Sequence, residues 1–282
     1  MQHHIVHIML AALVGFCLGF LVFSQKNNMN RLLFAWTEKE TGGSIVKIID
    51  TSVKIPDRGR VKIPILTYHS IRFYPVSEYK QFTDLTVTPD IFEKQIAYLH
   101  EHSYHIISFD QLVDHLLKDS PLPSQPIVIT FDDAWESQYL NALPVLKKYN
   151  DTATFFIFTN AIGHKHFLNW DQIKELDKLG MTIAGHTKSH PYLLKIADGA
   201  TLREEIADSK KILEEKLKKP VLFFAYPFGQ HNEKIVQMVK DAGYRAARGT
   251  SGDVWQDKND LFTLKGIQVT DNMGMFVREI EQ

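Results

Sequence analysis

The chain has 282 residues, 44% of them hydrophobic and 23% charged, which excludes a disordered chain or a polytopic membrane protein and fits one large domain or two small ones. Its 32 basic and 33 acidic side chains give a formal charge of -1, so no charge excess indicates a nucleic-acid partner. The single cysteine, Cys17, excludes a disulfide framework and a cysteine-built zinc site, so histidines and carboxylates must hold any metal.

The N-terminus carries an apolar run over residues 5–23 that is interrupted only by His7 and two glycines. As a helix the run would reach roughly 28 Å, about one hydrocarbon thickness, and no small-residue cleavage site follows it. It therefore predicts an uncleaved transmembrane anchor over residues 1–25, with a cleaved secretory signal or a buried core helix as alternatives. The positive-inside rule does not support export, because Lys26 and Arg31 follow the run and no lysine or arginine precedes it.

Residues 26–62 have a mixed composition with several turn signals, which predicts a stalk or linker with one short strand at residues 44–49. From Pro64 onward, short apolar runs alternate with amphipathic stretches, as is typical of a parallel sheet covered by helices. We assign residues 63–282 to this α/β domain. The apolar runs predict strands at residues 65–68, 105–107, 127–131, 154–158, 181–184, 221–225, 244–247 and 262–269.

Helices are predicted between these strands from their start and stop signals. The most regular one covers residues 201–218, where apolar side chains share one stripe and two Glu–Lys pairs stand four residues apart. The other signals are starts at Thr88, Ser108 and Asn169 and stops at Gly180 and Gly243.

Two adjacent carboxylates, Asp132 and Asp133, follow the apolar run 127–129 and so lie at the carboxyl end of a predicted strand. Parallel sheets present ligands and catalytic groups at this end. Because adjacent side chains on a strand diverge, one carboxylate can bind a cation while the other takes a proton. A turn or a helix N-cap would also explain the pair.

Two histidines, His186 and His190, follow the apolar run 181–184 and therefore reach the same end of the sheet. Histidines four residues apart can share a metal ion, although two solvated turn histidines would give the same pattern. Pro191 disfavours helical backbone angles at His190, so we expect a tight turn here. Thr187 stands where a helical zinc protease would have its glutamate base, which leaves Asp132 as the candidate base.

Two more strand ends deliver polar or aromatic groups to this rim. One leads into the turn of Tyr226, Pro227 and Phe228, whose aromatic rings could stack on sugars and whose backbone N–H groups could face an oxyanion. The other leads into His69. Each group alone could be structural, but their convergence on one end of one sheet indicates an active site.

Three segments, taken in chain order, resemble the first three motifs of the polysaccharide deacetylase family, the NodB-like carbohydrate esterases. These segments are TFDD at residues 130–133, HTKSH at 186–190 and YPFG at 226–229. The resemblance extends over roughly residues 64–270. No single motif is specific, but the ordered combination is. It implies an irregular (β/α) barrel and the N-deacetylation of an acetamido sugar with release of acetate.

The resemblance also implies roles for individual residues. Asp133, His186 and His190 would be ligands of one divalent metal ion, Asp132 would be the general base, and the turn after the third strand would bind the oxyanion and the substrate. Three ligands leave open positions for water and substrate, as in catalytic zinc sites. Zinc is the foremost candidate, but cobalt, nickel and iron also accept histidine and aspartate ligands.

Two details resemble the poly-N-acetylglucosamine deacetylase branch, namely Tyr68–His69 ahead of the aspartate pair and Ala225 in the third motif. This branch implies an acetylated exopolysaccharide as substrate. The apolar leader separately predicts a catalytic domain that is tethered to the membrane outside the cytoplasm, or secreted if the leader is cleaved. Peptidoglycan, chitin or a lipid-linked sugar are alternative substrates, with deacetylation or deformylation as the reaction. A tethered glycan-binding pseudoenzyme is the alternative outside the enzymes.

The chain departs from the wider family at two functional positions. The family has an arginine two residues before the motif proline, where this chain has Ala225, and Arg248 on the next strand is the candidate replacement. The late Leu-x-His motif that supplies the general acid has no match. The resemblance to the poly-N-acetylglucosamine branch implies that the acid comes from the start of the barrel instead, which makes His69 the candidate. The fourth family motif, an aspartate and tryptophan pair, is matched only loosely by Asp253 and Trp255. Trp255 is a candidate orienting or substrate-binding residue.

Overall fold

The computed structural model describes four strands within residues 7–49 and, with their side chains, residues 60–73 and 85–282. The chain divides into two compact units, Met1–Gly59 and Arg60–Gln282. In the first unit, β1 (His7–Leu10), β2 (Gly19–Lys26), β3 (Met29–Glu40) and β4 (Gly43–Ile49) form an antiparallel sheet in this order. The short strand predicted at residues 44–49 is confirmed as β4. The rest of the predicted linker is less irregular than expected, because β3 extends over 12 residues.

The predicted transmembrane helix over residues 5–23 is not seen in the parts of this range that the structure describes. Those parts belong to β1 and β2, which are extended, and the remaining residues of the range lie outside the described ones. Among the residues that the structure describes, no helix combines the length and the apolarity that crossing a membrane requires. Apolar runs rich in valine, isoleucine and phenylalanine suit strands as well as helices, and periodicity does not separate the two.

The second unit is an α/β barrel. Its helices are α1 (Pro89–Glu101), α2 (Phe109–Lys118), α3 (Leu143–Tyr149), α4 (Trp170–Lys178), α5 (Gly199–Arg203), α6 (Ser209–Leu217), α7 (Glu233–Asp241) and α8 (Met273–Ile280). Its strands are β5 (Arg60–Lys62), β6 (Ile65–Tyr68), β7 (Ser70–Ile71), β8 (Thr86–Val87), β9 (His105–Ile107), β10 (Pro126–Phe131), β11 (Thr154–Ile157), β12 (Thr182–Gly185), β13 (Phe223–Ala225), β14 (Ala246–Gly249), β15 (Trp255–Asp257) and β16 (Leu264–Gln268).

Seven parallel strands close the barrel in the order β6, β10, β11, β12, β13, β14, β16 and back to β6. Strand β9 pairs with β10 outside this ring, and β5 pairs antiparallel with β15 on the side from which β6 begins. The predicted barrel fold is confirmed. Every strand predicted from Pro64 onward is present, with ends shifted by up to two residues, whereas the short strands β5, β7, β8 and β15 are not among the predicted ones.

The barrel has one core inside the strands and another between the strands and the helices. The inner core includes Val128, Phe156, Phe223 and Leu264, and Phe109 from α2 packs onto the rings of Phe156 and Phe223 with centroids 5.7 and 4.9 Å away. Burying each such phenylalanine contributes about 1.5–3 kcal/mol. Because all seven strands run in parallel, the loops after them meet at one rim, and this rim holds the predicted site residues.

The predicted helix signals are confirmed at several ends. Ser108 and Asn169 form capping boxes with Gln111 and Gln172, in which each side chain bonds the other residue's backbone N–H. The glycine after α4, Gly180, has a φ of 86° and ends that helix. The helix predicted over residues 201–218 is present, but a π-helical turn, Glu204–Asp208, separates its α5 and α6 parts.

Candidate metal and catalytic site

The two adjacent aspartates follow β10 and turn away from each other. Asp132 continues the strand ladder, because its N–H donates to the Tyr68 carbonyl at 2.9 Å. Asp133 and Ala134 then adopt left-handed backbone angles, with φ of 71° and 61°. This conformation costs non-glycine residues roughly 1–2 kcal/mol each, and such residues concentrate at functional sites. The turn sends the two carboxylates into different surroundings.

His186 follows β12 directly and is oriented by the neighbouring strand. Its Nδ1–H donates to the Ala225 carbonyl on β13 at 2.8 Å, which fixes the neutral tautomer and leaves Nε2 free to face Asp133. The preceding residue must be glycine for this strand to pack as it does, because a Cβ at Gly185 would overlap the Tyr244 hydroxyl. The strand end thus presents a ligand nitrogen in a fixed direction.

His190 lies on the tight turn that the sequence predicts before Pro191. Thr187 and His190 both have left-handed backbone angles, with φ of 69° and 58°. The Thr187 side chain is fully buried, and its hydroxyl accepts the His190 N–H at 3.0 Å. The turn therefore folds His190 back toward His186, and their ring centroids lie 4.8 Å apart.

Asp133, His186 and His190 converge on one point. The Asp133 Oδ1 atom lies 3.5 Å from His186 Nε2 and 3.3 Å from His190 Nε2, and the three ligand atoms are all within 4.8 Å of one another. Oδ1 is buried and accepts no hydrogen bond from the described residues. Tetrahedral ligands at zinc-binding distances stand roughly 3.3 Å apart, so the spacing and the donor set fit a divalent cation such as zinc. The orphaned oxygen supports the same conclusion, since a cation would satisfy it.

The electrostatics of the three groups favour cation binding at Asp133 and His190. Burial raises the pKa of Asp133, but the attraction of the close His186 and of His69 and His190 outweighs it, so the pKa lies well below its usual range. Burial and repulsion from His186 lower the pKa of His190 to about 4. Burial lowers the pKa of His186 as well, but the Asp132 and Asp133 carboxylates raise it above its usual value. At neutral pH, Asp133 is therefore ionised and His190 is neutral, which are the forms in which each can bind a cation.

Asp132 lies beside the three candidate ligands and is held from inside the barrel. Its carboxylate is paired with the guanidinium of Arg248, which is fully buried on β14. The guanidinium carbon also lies 4.7 Å from the centre of the Phe156 ring. His69 Nε2 stands 4.0 Å from the other carboxylate oxygen of Asp132. The structure thus places Arg248 and His69 on either side of the candidate base, where the sequence predicts an orienting residue and an acid.

A buried glutamine that the sequence analysis did not identify joins the two candidate proton-transfer groups. Gln138 Nε2 donates to the backbone carbonyls of His69, at 2.9 Å, and of Asp132. Gln138 is the first residue of a π-helical turn, Gln138–Ala142, and is fully buried. Its side-chain amide therefore fixes the position of the loop after β6 relative to the loop after β10.

A cavity of about 290 Å³ opens beside Asp133 and His190. Four aromatic side chains line it, and its polar contacts include a hydrogen bond of 3.3 Å from the Trp135 indole N–H to Asp133 Oδ2. Phe228 has a left-handed backbone, with φ of 57°, and its half-exposed ring stacks on Tyr192 at a centroid distance of 3.8 Å. The aromatic lining consists of Trp135, Phe158, Phe167 and Phe228.

Three predicted site residues take other positions. Tyr226 is buried, and its hydroxyl donates to the Phe262 carbonyl at 2.9 Å, so the side chain belongs to the core and not to the substrate pocket. Pro227 is buried as well, which leaves Phe228 as the cavity-lining residue of the predicted turn. Trp255 lies on β15 opposite Lys62 of β5, on the side from which β6 begins, and is therefore remote from the rim.

The family model for polysaccharide deacetylases matches residues 119–247, a span that includes both aspartates and both histidines. The Bacillus subtilis protein YxkH, whose name places it among polysaccharide deacetylases, is 31% identical over 227 residues, which cover 79% of this chain and 77% of that protein. A Staphylococcus aureus poly-beta-1,6-N-acetyl-D-glucosamine N-deacetylase is 31% identical over 201 residues, 64% of this chain and 69% of that one.

Solved structures extend the similarity to the fold. The deacetylase PplD of Streptococcus pyogenes, solved in complex with acetate, matches with a TM-score of 0.72 and 29% identity, over 79% of this chain and 99% of that one. IcaB of Ammonifex degensii matches with a TM-score of 0.70 over 78% of this chain and 96% of that one, and at 22% identity it supports the fold alone.

Proposed function

Because the chain belongs to the polysaccharide deacetylase family, whose members are N-deacetylases that hydrolyse amide bonds, we propose that it is a metal-dependent enzyme that removes acetyl groups from an N-acetylglucosamine polysaccharide. The observation that carries the proposal is the convergence of Asp133, His186 and His190 beside Asp132 at the mouth of an open cavity. Acetate and a free amine on the glycan are the products.

The substrate we favour is poly-N-acetylglucosamine of the kind named for the Staphylococcus aureus relative. Aromatic side chains line much of the cavity next to the three ligands, and aromatic faces pack on the apolar faces of pyranose rings. Peptidoglycan, chitin and lipid-linked sugars offer the same acetamide group and remain the competing substrates.

Asp133, His186 and His190 would hold one divalent cation, with zinc favoured over cobalt, nickel and iron. A cation bound there would supply Lewis acidity toward the acetamide oxygen and acidify a water molecule. Asp132 accepts the proton of the attacking water, and Arg248 keeps its carboxylate aimed at the rim. In this arrangement the base sits next to the cation site and is not one of its ligands.

Departure of the amine requires a proton, since an amide has a poor leaving group. His69 is placed to donate it, because its Nε2 lies on the opposite side of Asp132 from Arg248 and its side chain is partly accessible. The Phe228 backbone N–H, at the left-handed turn on the cavity wall, is our candidate for binding the oxyanion.

The presence of Arg248 beside Asp132 also weakens the pseudoenzyme alternative. In place of the arginine that the third motif lacks, the Arg248 guanidinium reaches Asp132 from the next strand. One of the two departures from the family pattern is therefore compensated within the barrel.

We further propose that the catalytic unit acts outside the cytoplasm, delivered by the apolar segment at residues 5–23 and either retained at the membrane or released after cleavage. A fusion of residues 1–30 to alkaline phosphatase tests this location. Phosphatase activity is expected in intact cells, and an inactive fusion would contradict export.

Acetate release by the purified enzyme tests the activity. We expect release from poly-N-acetylglucosamine oligosaccharides that stops with chelator and returns when zinc is restored. His105 offers a matched control, because it is exposed and bonds only a loop carbonyl, so His105→Ala should keep full activity while His186→Ala loses it. Release that persists in chelator would contradict metal dependence. If no acetate were released from poly-N-acetylglucosamine, peptidoglycan, chitin or a lipid-linked sugar, the pseudoenzyme alternative would be favoured.

A further inference from the structure

The loop between the two candidate histidine ligands is held by one carboxylate from outside the three motifs. Glu205 Oε2 accepts the backbone N–H groups of Lys188, at 3.0 Å, and of Ser189, at 2.8 Å. Its Oε1 accepts the Ser189 hydroxyl at 2.6 Å. A single side chain thus satisfies three donors at the apex of the loop, and hydrogen bonds to a charged acceptor are among the stronger ones.

The other side of the loop is fixed by backbone hydrogen bonds. The N–H groups of Thr159 and Asn160 donate to the carbonyls of Thr187 and Lys188 at 3.2 and 2.8 Å. The loop has no regular secondary structure, and two of its residues are left-handed. The conformation of the loop therefore depends on these few hydrogen bonds. Glu205 accepts the ones donated at the apex, from the Lys188 N–H, the Ser189 N–H and the Ser189 hydroxyl.

The local helix geometry explains how Glu205 reaches the loop. Glu205 lies in the π-helical turn Glu204–Asp208, which inserts an extra residue between α5 and α6. The Ile206 carbonyl in this turn accepts the hydroxyls of Ser209 at 2.8 Å and of Tyr244 at 3.3 Å. These buried side chains stabilise the turn, and π-helical turns are frequent at functional sites.

We propose that Glu205 is a positioning residue for the metal site, acting on His190 through the backbone of Lys188 and Ser189. His186 is fixed independently by the Ala225 carbonyl, whereas His190 depends on the loop for its place near Asp133. Residues that orient metal ligands typically contribute 10–100-fold to metal affinity or activity. The inference rests on the proposed metal site but not on the glycan that the enzyme uses.

The test measures zinc affinity of the full chain by competition with a chromophoric chelator, together with the unfolding midpoint of the metal-free protein. Glu205→Ala should weaken zinc binding by about 10–100-fold. Glu205→Gln should retain the wild-type affinity, because its amide oxygen can accept both backbone N–H groups and its NH₂ can donate to the Ser189 hydroxyl. Glu205→Asp should lose affinity as the alanine variant does, because its shorter side chain cannot reach the loop.

Asp208→Ala is the matched control. Asp208 lies in the same π-helical turn and contacts the same loop, but only through the Lys188 ammonium group at 3.5 Å, so its loss should leave zinc affinity unchanged. Wild-type affinity in both Glu205→Ala and Glu205→Asp would overturn the proposal. The proposal would also be overturned if Glu205→Ala lost zinc affinity because its metal-free form unfolds, while Glu205→Asp stayed folded and bound zinc with normal affinity. A wild-type protein that binds zinc through this site but releases no acetate would refute the proposed function and leave this inference standing.

Discussion

The adjacent carboxylates Asp132 and Asp133 have different surroundings, and the roles proposed for them rest on this difference. Asp133 faces two imidazole nitrogens, and one of its oxygens is buried without a hydrogen bond from the described residues. Asp132 faces a buried guanidinium and a third histidine. Paired carboxylates in unlike environments are a recurrent way to separate ligand and base functions.

Isosteric amide substitutions should separate these two functions. Asp133→Asn removes the anionic ligand, so both zinc binding and turnover should be lost. Asp132→Asn should keep zinc bound while turnover falls about 10²–10⁴-fold, the usual contribution of a general base. Zinc content after desalting and acetate release from the same preparations check this, and an Asp132→Asn enzyme with normal turnover would remove Asp132 from the base role.

Arg248 is the buried partner of Asp132, so we expect it to contribute to both stability and catalysis. Arg248→Met keeps much of the side-chain volume but leaves the carboxylate unpaired, which should cost about 3–5 kcal/mol of unfolding free energy. Turnover should fall as well, because the Asp132 carboxylate loses the guanidinium that orients it. Urea unfolding and acetate release measure the two effects.

A second-site substitution makes this prediction more specific. Ala225 lies directly across from Arg248 in the register of β13 and β14, and both are buried. Moving the guanidinium to the neighbouring strand, in Ala225→Arg combined with Arg248→Ala, should restore part of the activity that Arg248→Ala alone loses. A double variant no better than Arg248→Ala would mean that Arg248 acts through packing instead of charge.

At the residue scale the sequence predicted which three side chains converge, but not the residues that hold them in place. Asp133, His186 and His190 follow short strands within ordered motifs, so both their identity and their convergence could be inferred. Gln138 and Glu205 could not be, because each acts on segments 6 to 69 residues away through hydrogen bonds that no local pattern records. Tyr226 was predicted to face the substrate because strand alternation was not extended into the turn.

The strand that carries His186 is tightly packed at its carboxyl end. Strand β12 carries His186, and Gly185 at its last position lies against the Tyr244 hydroxyl, which also bonds the π-helical turn before α6. Tyr244 thus fixes the spacing between β12 and the π-helical turn, and with it the position of His186, the candidate ligand that follows β12.

Gly185→Ala should disturb this junction. The new methyl group would overlap the Tyr244 hydroxyl, and overpacking of this kind typically costs about 1–3 kcal/mol. Because His186 is the next residue, zinc affinity should fall as well. Combining the change with Tyr244→Phe removes the clashing oxygen and should recover most of the stability in thermal melts. A single variant as stable as wild type would show that the strand can shift freely.

The π-helical turns Gln138–Ala142 and Glu204–Asp208 could not be predicted from the sequence pattern. The apolar stripe over residues 201–218 correctly indicated one long helix, yet the turn within it depends on hydroxyl groups of Ser209 and Tyr244 that reach the Ile206 carbonyl. The other turn begins at Gln138, whose side chain is drawn to two backbone carbonyls. Helical periodicity carries no signal for such long-range contacts.

For the whole molecule, barrel closure was predictable, whereas the N-terminal strands and the place of Trp255 were not. Alternating strands and helices specify a parallel sheet, and the family resemblance supplied its closure. The N-terminal apolar run satisfied the length criterion for a membrane helix, but composition alone does not choose between helix and strand. Trp255 was placed at the site from a loose motif match, whereas the pairing of β15 with β5 carries it to the side from which β6 begins.

The start of the barrel unit can be tested by truncation. Strand β5 begins at Arg60 and pairs with β15, and Ile63 just after it is fully buried. A chain of residues 60–282 should fold and release acetate. A chain of residues 64–282 loses the burial of Ile63, worth about 1.5–3 kcal/mol, and should melt roughly 3–12 °C lower. Equal melting temperatures would place the boundary after β5, as the sequence had suggested.

The most direct test of the whole account is anomalous diffraction at the zinc edge from crystals grown with zinc. We predict one strong peak per chain, about 2.0–2.2 Å from Asp133 Oδ1, His186 Nε2 and His190 Nε2, with the Asp132 carboxylate outside the coordination shell. A peak bound elsewhere, or none at saturating zinc, would contradict the proposed metal site and the hydrolytic mechanism built on it.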